Sequence, residues 1–158
     1  MNSQQYFETP VKNYLANKEE LSYLAGIVDG EGSIMIVKQT QSTKKNPSYA
    51  LLLTVSSTDK ILCDWIQQRF GGNVIHCRSG NEKWKTAYRW QIRSWGALMI
   101  LESISPFLII KKIKADYGIC FQQRRRKPGV GGITQEEIKK YEWYKKQISE
   151  SRAYNGTF

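Results

Sequence analysis

The stretch LAGIVDGEG, residues 24–32, decides how this chain is read. An apolar run at helical spacing ends in two acids, Asp29 and Glu31, set between glycines. Carboxylates are unfavourable at a helix C-terminus, where the backbone dipole is already negative. The run begins at Asn17, which with Glu20 three residues on makes a capping-box pattern. Leu21, Leu24, Ala25, Ile27 and Val28 follow at helical intervals. Gly26 and Gly30 lie one turn apart and share a face. Glycine weakens a helix, so a glycine face implies another backbone in close approach. A C-cap role accounts for Gly30 and leaves Gly26 unexplained.

Past Gly32 the period changes to two. Residues 33–41 and 48–57 read as strands joined by a turn in STKKNP. Residues 58–70 read as a helix with Ile61, Leu62, Trp65, Ile66 and Phe70 on one side, stopped by Gly71-Gly72. Residues 73–79 and 84–94 form a second hairpin, and 95–104 a helix closed by Pro106. A short turn and a helix over 112–124 follow, ended by a Pro-Gly segment. A last helix is capped at Thr134, with Glu137 as its capping-box partner. The ββα unit occurs twice, a pseudo-repeat around one sheet.

The 158 residues hold 24 Lys+Arg against 14 Asp+Glu, a net charge of +10. That excess points to a polyanionic partner, nucleic acid first. No stretch is long enough to span a bilayer, and residues 1–20 lack the apolar core of a signal peptide. Cys63, Cys77 and Cys120 show no CxxC spacing and His76 stands alone, which argues against a zinc site or a disulfide framework. An intracellular, reducing setting fits them.

In 84–94, Thr86, Tyr88, Trp90 and Ile92 would face helices, and Lys85, Ala87, Arg89, Gln91 and Arg93 would form a cationic face. Val74, His76 and Arg78 alternate with Ile75 and Cys77, and Ile34 and Ile36 oppose Met35, Val37, Gln39 and Gln41. Arg and Gln read base edges bidentately. The candidate DNA contacts are therefore Gln39, Gln41, Lys44, Lys45, Thr54, His76, Arg78, Arg89, Gln91 and Arg93.

LAGIVDGEG resembles the motif that names the LAGLIDADG homing endonucleases. Leu24, Ala25, Gly26, Ile27, Asp29 and Gly32 match it directly, and the element order over 17–124 is similar to that family's core. The resemblance implies an α+β fold, an αββαββα core with a saddle-shaped antiparallel sheet and C-terminal helices. The chain divides into an irregular N-terminal arm at 1–16, the core with its following helix at 17–127, and a linker and helix at 128–158. The resemblance implies a Mg²⁺- or Mn²⁺-dependent endonuclease that cuts both strands of double-stranded DNA. In such proteins two motif helices pack side by side, here through Leu24, Gly26, Ile27, Asp29 and Gly30. Glu31 matches the metal-binding acid and Gly30 the position that offers its carbonyl. Asp29 would support the helix pair. Lys111, after the Pro106-Phe107 turn, matches a lysine near the phosphate, and Ser57 stands where a water-ordering side chain is usual.

The sequence carries one such motif, so a homodimer on a pseudo-palindromic target follows. An intron-encoded origin suits it. An intron maturase that binds host intron RNA, or a DNA-binding regulator that does not cut, are the competing readings.

Overall fold

The computed structural model describes residues 16–40, 46–77, 86–125 and 132–151. Within them run α1 (Lys18–Glu31), β1 (Gly32–Gln39), β2 (Ser48–Ser57), α2 (Lys60–Phe70), β3 (Asn73–Cys77), β4 (Ala87–Arg93) and α3 (Ser94–Ile104). A single 3-10 turn (Ser105–Phe107), α4 (Lys112–Arg124) and α5 (Gln135–Glu150) complete the order. This is the α+β order read from the sequence. The strands make one antiparallel sheet in the order β1-β2-β4-β3, so the two ββα units meet along β2 and β4.

Local chemistry sets the ends. Asn17 Oδ1 accepts the Glu20 N–H at 2.9 Å and starts α1. The reciprocal half of that box does not form, because the Glu20 carboxylate takes Arg69 at 2.7 Å and ties α1 to α2. At α5 both halves form between Thr134 and Glu137. Gly71 and Gly72, at φ 75° and 85°, end α2 in the left-handed region that suits glycine. A Cβ on Gly72 would come within 2.6 Å of Gln91 O. This tight turn brings the Gly71 carbonyl to Trp90 Nε1 at 2.7 Å, satisfying the one polar atom of the largest buried side chain.

One face of the sheet packs on helices. Ile34, Ile36, Leu51, Leu53, Val55 and Trp90 meet Leu24, Ala25 and Val28 of α1, Ile66 of α2, Ile100 and Leu101 of α3, and Ala115 and Phe121 of α4 in one core. Tyr141, Tyr144 and Ile148 of α5 join the same core. The last helix thus shares the core formed by the sheet and α1–α4. On α2 the expected stripe is rotated: Cys63, Ile66 and Phe70 are buried, Leu62 and Trp65 half-buried, and Ile61 is 77% exposed. No helix among the described residues is long and apolar enough to cross a membrane.

Candidate functional site

The open face of the sheet follows from the register. Opposed residues of an antiparallel pair share a face, so Ser33, Thr54, Gln91 and Asn73 form one row across all four strands. Ser56, Arg89 and Ile75 form the next row on one side, and Met35, Leu52 and Arg93 the next on the other. Gln39 faces out opposite Ser48. No acid stands on this face among the described residues. Arg89 and Arg93 are exposed, and Arg89 Nε donates to Ser56 Oγ at 3.3 Å, which aims the guanidinium.

Two of the candidate contacts fit this face poorly. His76 pairs with Tyr88, on the side of Trp90, and stacks on the Tyr88 ring with centroids 5.3 Å apart. It belongs to the helix side of the sheet, so its assignment to the groove is corrected. Thr54 is on the open face but only 7% exposed between Ser33 and Gln91. Gln41, Lys44, Lys45 and Arg78 lie outside the described residues. Ser33 and Asn73, which the sequence reading left out, complete the central row. Strand alternation offers them once the register is known.

The acids at the end of α1 have separate surroundings. The Asp29 carboxylate accepts the Ile109 N–H at 2.8 Å through Oδ2 and the Lys111 N–H at 2.9 Å through Oδ1. The Lys111 ammonium in turn donates to the Asp29 carbonyl. Asp29 therefore holds the turn before α4 against the end of α1 and fixes Lys111 there. Burial pushes the half-buried Lys111 ammonium below the ordinary lysine range; Lys114 adds to this, and Asp29 and Glu31 oppose it. Glu31 is exposed, and its carboxylate makes no hydrogen bond or ion pair among the described residues. Ser57 Oγ accepts the Asp59 N–H at 3.0 Å, a turn contact leading into α2.

The outer side of α1 is open. Gly26 and Gly30 are exposed, and a Cβ on either would meet nothing within 4 Å. Nothing among the described residues requires glycine there. Tyr23 is 58% exposed on the same helix, and Ile109 and Ile110 are 56% and 49% exposed beside Asp29. Leu24 has no accessible surface and packs in the core of its own chain, so its place on a helix–helix interface is corrected; Ile27 is half-buried.

Glu31 and the exposed Gly30 at the helix end, where carbonyls lack in-helix donors, are hard oxygen donors of the kind Mg²⁺ takes. One chain supplies too few of them: among the described residues no group of three metal-ligating side chains forms. The donor chemistry fits a divalent ion when a second copy brings a second carboxylate.

No family model matches the sequence, and no curated protein matches it. Solved structures do. The homing endonuclease I-CvuI in complex with its target is 18% identical, with a TM-score of 0.69 over 89% of this chain and 87% of that one. The archaeal intron-encoded homing endonuclease I-Vdi141I, complexed with DNA, is 14% identical, with a TM-score of 0.68 over 88% and 87%. The LAGLIDADG homing endonuclease I-LtrWI, bound to target DNA, is 19% identical, with a TM-score of 0.64 over 96% of this chain and 53% of its own.

Proposed function

We propose that this chain, which has the fold of the LAGLIDADG homing endonucleases, is a site-specific DNA endonuclease that acts as a homodimer. One observation carries the reading: an exposed Glu31, its carboxylate without a hydrogen-bond or ion-pair partner among the described residues, ends a helix whose glycine face is open, beside a lysine that Asp29 holds in place. The two chains of similar length, I-CvuI and I-Vdi141I, are bound to DNA, and I-LtrWI is about twice as long. A second copy packed against Gly26 and Gly30 would bring two Glu31 carboxylates together.

DNA then lies across the open sheet face. Arg89 and Arg93 donate to guanine edges, and Gln39 and Gln91 pair with adenine. Gln41, Lys44, Lys45 and Arg78 are proposed on the sequence pattern alone. Glu31 and the Gly30 carbonyl would hold Mg²⁺ or Mn²⁺, which when bound would activate water and offset charge on the leaving oxygen. Asp29 keeps its carboxylate on backbone N–H groups, so it orients and does not bind metal. Lys111 holds positive charge beside the phosphate as negative charge builds there. An intracellular protein encoded with an intron is consistent with this activity. Contact with host intron RNA is the competing use.

The test is cleavage of a randomised long DNA library with Mg²⁺, beside Glu31→Gln and a Ca²⁺ control. Discrete double-strand cuts in a pseudo-palindrome, lost in the variant, are expected. Tight selective binding without cuts would replace the nuclease with a regulator or an RNA-binding maturase. The controls matter because I-CvuI, in complex with the I-CreI target in 2 mM Mg, leaves that DNA uncleaved.

A further inference from the structure

β1 is an outer strand, so one of its sides has no strand neighbour among the described residues. Along the strand runs a groove of about 590 Å³, lined by β1 from Gly32 to Lys38, the first turn of α4 and the last turns of α5. Lysines 38, 111, 114 and 145 line it, and no acid does among the described residues. A lysine on an edge strand ordinarily blocks unwanted strand pairing, and Lys38 suits that role. It is already neutralised, with Nζ 2.6 Å from a Glu142 oxygen that also accepts the Tyr49 hydroxyl at 2.6 Å. Lys114 and Lys145 differ. They come from two separate helices, and neither ammonium has a hydrogen-bond or ion-pair partner among the described residues; Lys145 acts only at longer range, helping to hold the Glu142 carboxyl below its ordinary value. Their neighbours Lys112 and Lys146 are paired, with Asp116 and Glu150. Unpaired cations brought together by separate elements are stabilised by a polyanion.

We infer that this groove grips the sugar–phosphate backbone of the DNA strand that passes Glu31, with Lys114 and Lys145 as its phosphate contacts. The inference rests on the DNA-cutting reading above. The groove begins at Gly32, immediately after Glu31, and shares Lys111 with the candidate active site. At about 3.3 Å per residue, the strand from Gly32 to Lys38 runs roughly 20 Å, room for several phosphates in succession. The half-buried Met35 and Val37 of β1 offer apolar surface for the sugars. The grip is independent of sequence, unlike the open face with its arginines and glutamines.

The experiment compares the full chain with Lys114→Gln/Lys145→Gln, each binding random-sequence duplex DNA and the selected target from 50 to 200 mM salt with Ca²⁺ present. The double variant is expected to bind both DNAs more weakly by about the same factor, on the order of tenfold per lost contact near 0.1 M salt. The slope of log K against log salt should fall by about 0.9 for each contact. Lys114→Arg/Lys145→Arg should restore both, and self-association should be unchanged. An unaltered affinity and slope in the Gln variant would overturn the inference while leaving the endonuclease reading intact. Loss of self-association in place of DNA affinity would also overturn it and assign the groove to a second copy. If the unsubstituted protein shows no salt-dependent DNA binding, the endonuclease reading itself fails, and the groove assignment with it.

Discussion

The two sides of α1 come from one run of sequence and have opposite surroundings. On the inner side Leu24, Ala25 and Val28 lose all their accessible surface to their own core. On the outer side Tyr23, Gly26 and Gly30 are exposed, and added Cβ atoms at the glycines would meet nothing. The acids divide in the same way: Asp29 is bound to Ile109 and Lys111 N–H groups, and the Glu31 carboxylate has no hydrogen-bond or ion-pair partner among the described residues. The inner half of the motif folds this chain. No contact among the described residues accounts for the outer half, and the proposed second copy and metal ion would.

Substitutions on the two sides should therefore separate stability from function. The largest stability loss is expected on the inner side: Leu24→Ala should cost about 2–5 kcal/mol, seen as a shifted urea midpoint. A cost under 1 kcal/mol would mean that Leu24 is not the core residue described. Asp29→Asn comes next, at about 1.5–3 kcal/mol for weakened bonds to a charged acceptor, with a matching drop in cleavage as Lys111 is released. Cleavage unchanged by it would separate Lys111 from Asp29. On the outer side the sign reverses. Gly26→Ala should stabilise the isolated chain by up to about 1 kcal/mol through helix propensity while weakening self-association in sedimentation. A substitution that stabilises the chain and leaves the dimer intact would remove the case for a close helix pair.

The smallest effect is a pH dependence from Lys111. Its ammonium is held below the ordinary lysine value in the folded state, so near the alkaline end the unfolded chain binds more protons than the folded one. Stability from this group therefore rises with pH between the depressed value and the ordinary one. Lys111→Met should flatten that rise in unfolding midpoints measured from neutral to alkaline pH. A rise of equal size in the variant would assign it to other groups.

Much of this architecture was legible in the residues. Period two placed β2 at its observed bounds, Asn17 marked the start of α1, and the Thr134–Glu137 pair predicted a real capping box. What failed did so where one-dimensional patterns are degenerate. In β3 the alternation pits Val74 against Ile75, both apolar, so it cannot say which side is core; pairing of Val74 with Trp90 decides it and carries His76 along. On α2 the apolar run is wider than the buried stripe, and Cys63 takes the place expected of Ile61. The unpaired Lys114 and Lys145 were invisible because their meeting depends on how α4 and α5 pack along β1, and no local spacing encodes that.

The clasp at Asp29 has one more consequence. Both of its incoming bonds are donated by backbone nitrogen, at positions 109 and 111. Any residue except proline supplies that donor. Mutational drift at Ile109 and Ile110 can therefore reshape the exposed surface beside the helix end without loosening the clasp. The arrangement leaves a region free to adapt to new partners or targets while the lysine next to it keeps its place.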